Sequence, residues 1–169
     1  MSTSTELDLP VTSASTLPSV SVPKKPAWEK RLADILWVNS VAISNDGTRV
    51  VGATFLHDYR QESSKFFPTV LGRFGVYCFD GDPPKDAAGL RVPKWVDEYD
   101  GWSGIYGVAL SGDGAIAAAG GWLEKSGSAV RGVVRANNAV DGKKLLDYTD
   151  FTQRMSWVTL SKDGTVLAA

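Results

Sequence analysis

One stretch occurs three times in this chain, and it constrains the fold more than any other feature. The copies are Val41-Ala-Ile-Ser-Asn-Asp-Gly-Thr-Arg-Val-Val-Gly-Ala53, Val108-Ala-Leu-Ser-Gly-Asp-Gly-Ala-Ile-Ala-Ala-Ala-Gly120 and Val158-Thr-Leu-Ser-Lys-Asp-Gly-Thr-Val-Leu-Ala-Ala169. Each reads as an apolar strand, a Ser-x-Asp-Gly turn and a returning strand of small and β-branched residues. Asp-Gly between two apolar runs is a hairpin signal, because the turn needs φ > 0 and glycine accepts it without a Cβ clash. The Ser and Asp side chains can bond to neighbouring backbone N–H groups and pre-shape the bend. Asp46 with Gly47, Asp113 with Gly114 and Asp163 with Gly164 are therefore the expected structural turns.

Around each hairpin the chain supplies further strands. In the first unit Trp37 to Ser44 and Arg49 to Leu56 form the hairpin, Gly72 to Asp80 a third strand, and Leu90 to Val96 a fourth, which Pro93 confines to a sheet edge. An acidic connection through Asp97, Glu98 and Asp100 leads to the second unit. There the hairpin is Ile105 to Leu123, the third strand Ala129 to Ala136 and the fourth near Lys143 to Tyr148, after a turn through Asn137-Asn138 and Asp141-Gly142. A third unit begins near Met155. The copies start 67 and then 50 residues apart, and the excess over a typical blade of roughly 40–45 residues falls in loops such as His57 to Pro68. Trp28 to Leu36 has the spacing of one or two helical turns leading into the first strand.

Four-stranded units with a Val-Ala-Leu-Ser-x-Asp-Gly hairpin resemble β-propeller repeats of the WD-repeat or quinoprotein-like kind. Gly132 to Leu146, with Asp-Gly-Lys-Lys-Leu near its end, is similar to the third strand, turn and fourth strand of such repeats. No Gly-His or Trp-Asp pair marks the blades, and Phe79-Asp80 stands nearest to the latter. The resemblance covers Trp37 to Ala169 and implies an all-β fold: antiparallel four-stranded blades of an incomplete β-propeller, two units plus the first hairpin of a third. Two units and a hairpin do not close a ring, so the chain is expected to be a piece of a longer propeller or to self-associate through the open edge Thr165 to Ala169. The expected organisation is a disordered Ser/Thr/Pro-rich tail over residues 1–27 and a partial propeller over 28–169.

Composition narrows the function classes. A formal charge of −1 gives no footprint for nucleic acid or an anionic membrane. Cys78 is the single cysteine, which excludes an intrachain disulfide and multi-thiolate metal sites and favours a cytoplasmic location. No catalytic residue, metal site or cofactor is assigned. Each Asp-Gly turn offers one carboxylate where a calcium loop needs several converging ligands. Asp80 to Asp86 carries three carboxylates, but its glycine and prolines do not fit an EF-hand loop. His57, the single histidine, falls in a polar loop, and Cys78 falls mid-strand, where a small buried hydrophobe is usual. Six tryptophans stand out. Most are expected to fill space between sheets, whereas Trp95 and Trp102, flanking the acidic connection, are candidates for an interaction surface. The expected function is a non-enzymatic protein-interaction or scaffolding module whose partner is another protein. The alternative is a fragment of a quinoprotein-like propeller enzyme or cofactor-binding protein.

Overall fold

The computed structural model describes residue 30 and residues 36–56, 74–99, 104–123 and 131–169. The tail, the helical turns before Leu36, the His57 loop and Trp102 lie outside the described residues. Among those described there is no helix, and none is long and apolar enough to cross a membrane.

Among the described residues ten strands appear in chain order: β1 (Leu36–Ile43), β2 (Arg49–Leu56), β3 (Phe74–Asp80), β4 (Trp95–Tyr99), β5 (Gly104–Leu110), β6 (Ile116–Leu123), β7 (Arg131–Asn138), β8 (Lys144–Phe151), β9 (Thr159–Leu160) and β10 (Leu167–Ala168). All pairings are antiparallel. Strands β1 to β4 pair in sequence as unit 1, β5 to β8 repeat that order as unit 2, and β9 with β10 forms the first hairpin of unit 3. The fold is all-β, two four-stranded antiparallel blades and the first hairpin of a third, as in an incomplete β-propeller. A single pair, Phe55 with Gly104, carries the ladder from unit 1 to unit 2.

The repeat is kept down to its irregularities. The β1–β2 register slips between Val38 and Ser40, and the β5–β6 register slips at the matching place, between Ile105 and Gly107. In unit 1 the slipped residue joins the two units: Asn39 donates from Nδ2 to the carbonyls of Ile105 and Tyr106 at 3.3 and 3.2 Å.

Three boundaries differ from the sequence reading. The fourth strand of unit 1 starts at Trp95, with Cys78 opposite it, and runs through Asp97 and Glu98, so the acidic segment is strand rather than connection. Pro93 cannot donate to a ladder, and the residues before it form turns held by an isolated Lys85–Arg91 bridge. Asn137 and Asn138 belong to β7, with the turn following at 139–142, and β8 extends to Phe151.

The units stack face to face through two apolar clusters. Val51, Val76, Cys78, Ile105 and Val133 belong to the cluster between units 1 and 2; Ala118, Val134, Ala136 and Val158 belong to the cluster between units 2 and 3. Burying each large aliphatic side chain contributes about 1.5–3 kcal/mol. The small residues of β6 let the third hairpin approach closely: a Cβ at Gly120 would lie 2.6 Å from Val158 Cγ1.

Candidate interaction surface

The three Ser-x-Asp-Gly turns share one geometry. The glycine N–H bonds to the serine carbonyl at 3.0 Å (Gly47), 2.9 Å (Gly114) and 3.0 Å (Gly164), and the glycines take φ of 71°, 70° and 71°. Ser44, Ser111 and Ser161 donate from Oγ to the Oδ1 of Asp46, Asp113 and Asp163 at 2.7, 2.6 and 2.6 Å. The same Oδ1 atoms accept the backbone N–H of Thr48, Ala115 and Thr165 at 2.9, 3.0 and 3.1 Å. These bonds favour the ionised carboxylates. Asp46 and Asp163 are lowered to about 2, first by the serine hydroxyl, then by the N–H and hydroxyl of the following threonine. Asp113, with Ala115 in the threonine's place, is lowered by Ser111 and the Ala115 N–H alone among these donors. No group of three or more His, Cys, Asp or Glu side chains suited to hold a metal occurs among the described residues.

The turns also meet one another. Asn45 N–H bonds to the Gly112 carbonyl at 2.9 Å, and Gly112 N–H bonds to the Lys162 carbonyl at 2.7 Å. The second turn residue of each unit thus donates to its counterpart in the next, and the three turns rim an open hollow. Two ends of this ladder remain. The Asn45 carbonyl and the Lys162 N–H have no hydrogen-bond partner among the described residues. The glycines show the same order. A Cβ at Gly114 would meet Ser44 Cβ at 3.1 Å and one at Gly164 would meet Ile116 Cδ1 at 3.0 Å, each in the unit before it, whereas one at Gly47 meets nothing within 4 Å.

Strand alternation assigns every inner-strand side chain to the leading face, toward the preceding unit, or to the trailing face, toward the next. Ile105, Val108 and Leu110 of β5 lead, packing in the cluster shared with unit 1, where Ile105 is 0% and Val108 8% exposed. Val158 and Leu160 lead from unit 3 into the second cluster. Their counterparts in β1, Val38, Val41 and Ile43, have no unit against them among the described residues and are 56%, 67% and 63% exposed. At the other end Trp157 (73%) and Val166 (61%) stand at trailing positions. Their counterparts are covered: Gly107 faces the backbone of Ser156 and Trp157, and Ile116 lies beside Gly164. Sequence reasoning did not single out Val38, Val41 and Ile43, although aligning the copies on Val41, Val108 and Val158 marks them as the first, uncovered member of a stack.

The structure places Trp95 in the joint between units 1 and 2. It is half-buried, donates from Nε1 to the Ala139 carbonyl at 3.0 Å, and lies against Gly142, where a Cβ would come within 2.8 Å of its Cγ. Arg49 Nη1 donates to the same carbonyl at 2.7 Å, with Cys78 Sγ at 3.6 Å. One buried carbonyl of unit 2 thus gathers three donors of unit 1. Burial pushes the Cys78 thiol up to about 11, so it stays protonated at neutral pH. A second clasp is ionic: Arg135 of β7 reaches Asp97 Oδ1 at 3.4 Å and Asp147 Oδ1 at 3.0 Å, with its guanidinium carbon 3.9 Å from the centre of the Tyr99 ring. Burial raises the Asp97 carboxyl despite this cation.

No family model and no curated protein matches the chain. Solved structures do. One is a chain of the crystal structure of a mitotic checkpoint complex, 18% identical, with a TM-score of 0.42, over 90% of this chain and 39% of that one. Another belongs to the complex of KlAtg21 with the coiled coil of AgAtg16, 17% identical, with a TM-score of 0.42, over 76% of this chain and 35% of that one. This chain therefore spans well under half the length of either.

Proposed function

We propose that the chain is a non-enzymatic protein-interaction module built on propeller repeats of the WD kind, and that it engages another protein through the leading face of unit 1. One observation carries this reading: Val38, Val41 and Ile43 are exposed together at positions that the same chain packs into its core clusters when it repeats them. A contiguous apolar face of that kind marks a contact surface, whereas scattered surface hydrophobes need no explanation. The formal charge of −1 supports a protein partner over nucleic acid or an anionic membrane, and the unpaired Cys78 accords with a cytoplasmic setting.

The test compares the wild-type chain with Val41→Asp and Ile43→Asp as baits in an extract of the source cell. A partner held by the wild type and lost by both variants is the expected result. A partner held equally by all three would move the contact elsewhere on the molecule.

A further inference from the structure

We infer that the connection between β3 and β4 is a second contact element, apart from the unit 1 leading face, and that it fits an apolar pocket of a partner protein with Leu90 as its anchor. Unit 2 passes from β7 to β8 through residues 139–143, whereas unit 1 takes residues 81–94 for the same step. The base of this longer connection belongs to the fold. Pro83 is fully buried, Val92 N–H bonds to the Pro84 carbonyl at 2.9 Å and Lys94 N–H to the Cys78 carbonyl at 2.7 Å. Arg91 Nη1 donates to the Pro83 carbonyl and reaches Asp82 Oδ1 at 3.0 Å. The tip stands clear. Ala87, Ala88, Gly89 and Leu90 are exposed one after another, Leu90 to 56%. A consecutive exposed apolar run of this kind is a fault in a fold unless it has an occupant.

Bonds that converge on Asp86 nonetheless hold the tip in one shape. Asp86 Oδ1 accepts the N–H groups of Ala88 and Leu90 at 2.9 and 2.8 Å. The Asp86 carbonyl accepts Gly89 N–H at 2.9 Å, and Asp86 N–H bonds to the Leu90 carbonyl at 2.9 Å. Gly89 takes φ of 78°, the left-handed conformation that glycine adopts without a Cβ clash. The polar groups of the tip are thus tied to Asp86 while Leu90 is left to the outside. A partner meets a surface that is already ordered, so association forfeits little loop entropy. A slack loop would join β3 to β4 with little thermodynamic penalty, so the bonds at Asp86 serve the shape of the tip rather than closure of the chain. The chemistry suits a protein pocket better than a lipid surface. Residues 81–94 carry no aromatic side chain, and Asp82 and Asp86 offset Lys85 and Arg91, whereas interfacial segments combine large apolar or aromatic residues with an excess of cations.

The test uses the full chain with the photo-cross-linker p-benzoylphenylalanine in place of Ala88, irradiated in an extract of the source cell, and maps the joined peptides by mass spectrometry. An adduct to one protein, at residues lining an apolar pocket, is expected. Leu90→Asp leaves the backbone bonds to Asp86 in place and should lower the yield of that adduct at least about tenfold. Asp86→Ala keeps Leu90 but frees the tip, so the yield should fall about fivefold while NMR order parameters at Ala88 and Leu90 drop. Both residues are exposed, and both variants should keep the circular dichroism of the wild type. An adduct indifferent to Leu90→Asp overturns the inference, as does the absence of any adduct or one undiminished by Asp86→Ala. Leu90-dependent binding to phosphatidylcholine vesicles with no protein adduct overturns it in favour of a membrane contact. A protein lost with Val41→Asp and untouched by the Leu90 and Asp86 variants sinks this inference and spares the leading-face contact.

Discussion

The leading faces of units 1 and 2 are nearly the same in sequence and opposite in fate. Val41-Ala-Ile43 and Val108-Ala-Leu110 have matching registers, matching turns after them and matching bulges before them, yet Val41 is exposed and Val108 is buried. The difference lies in the neighbour: β5 has unit 1 against it, and β1 has no unit there among the described residues. Burial in a repeat fold is thus a property of stacking order, since each unit meets only its neighbours. A substitution at one repeat position should then have two quite different costs. Val108→Asp places an unpaired carboxylate in the cluster with Ile105, Val51 and Val133 and should cost at least about 3 kcal/mol, whereas Val41→Asp should stay within about 0.5 kcal/mol in the monomer. Denaturant melts of the two variants at low protein concentration decide this. Equal losses would mean that the face of Val41 is covered in solution.

The glycine pair sharpens the comparison with a smaller effect. Gly47 and Gly114 have φ of 71° and 70°, so Gly47→Val and Gly114→Val share a backbone strain of about 1–3 kcal/mol. At Gly114 the added Cβ also meets Ser44 Cβ at 3.1 Å, while at Gly47 it meets nothing within 4 Å. Gly114→Val should therefore lower the melting temperature further than Gly47→Val. Coincident melts would mean that the unit 1 to unit 2 contact at the turns is absent.

Below these comes the Ala139 hub. Trp95→Phe removes the Nε1 donor but leaves Arg49 and Cys78 on the same carbonyl, so the acceptor is not orphaned. The loss should be about 0.5–1.5 kcal/mol. Arg49→Met, which removes a charged donor, should cost more, and a reversed order in denaturant melts would contradict the hub.

These effects divide what was legible in the sequence from what was not. The antiparallel blades were legible because strand alternation and Asp-Gly turn chemistry are local, and three copies state them three times. The Pro93 region was misassigned because a proline can end a strand's approach as well as sit at a sheet edge, and only the partner register, Cys78 with Trp95, decides between the two. The role of Trp95 was illegible for a different reason. Its acceptor is 44 residues away, in a turn whose position depends on the stacking of the two units. The uncovered face of unit 1 was recoverable in principle, because it needs only the alternation rule and the order of the copies.

The smallest expected effect separates the three turns themselves. After the turn glycine, Asp46 and Asp163 each have a threonine whose hydroxyl donates to Oδ1 at 2.8 Å, whereas Asp113 has Ala115, which has none. Thr48→Ala should therefore raise the Asp46 carboxyl from about 2 toward the ordinary range, and Ala115→Thr should lower that of Asp113, both read from side-chain carboxyl shifts in an NMR titration. The sign for stability follows from linkage. A carboxyl held at about 2 in the folded chain against about 3.9 in the unfolded one favours folding above about pH 4, and that contribution disappears as pH falls through about 2. Asp97 acts in the opposite sense: burial raises it, so its contribution is present in acid and lost as pH rises through its folded value. Thr48→Ala and Thr165→Ala together should accordingly shrink the stability lost between about pH 4 and pH 2 and leave the Asp97 contribution in place. An unchanged acid limb in the double variant would mean that the serine hydroxyls and backbone N–H groups alone hold these carboxylates down.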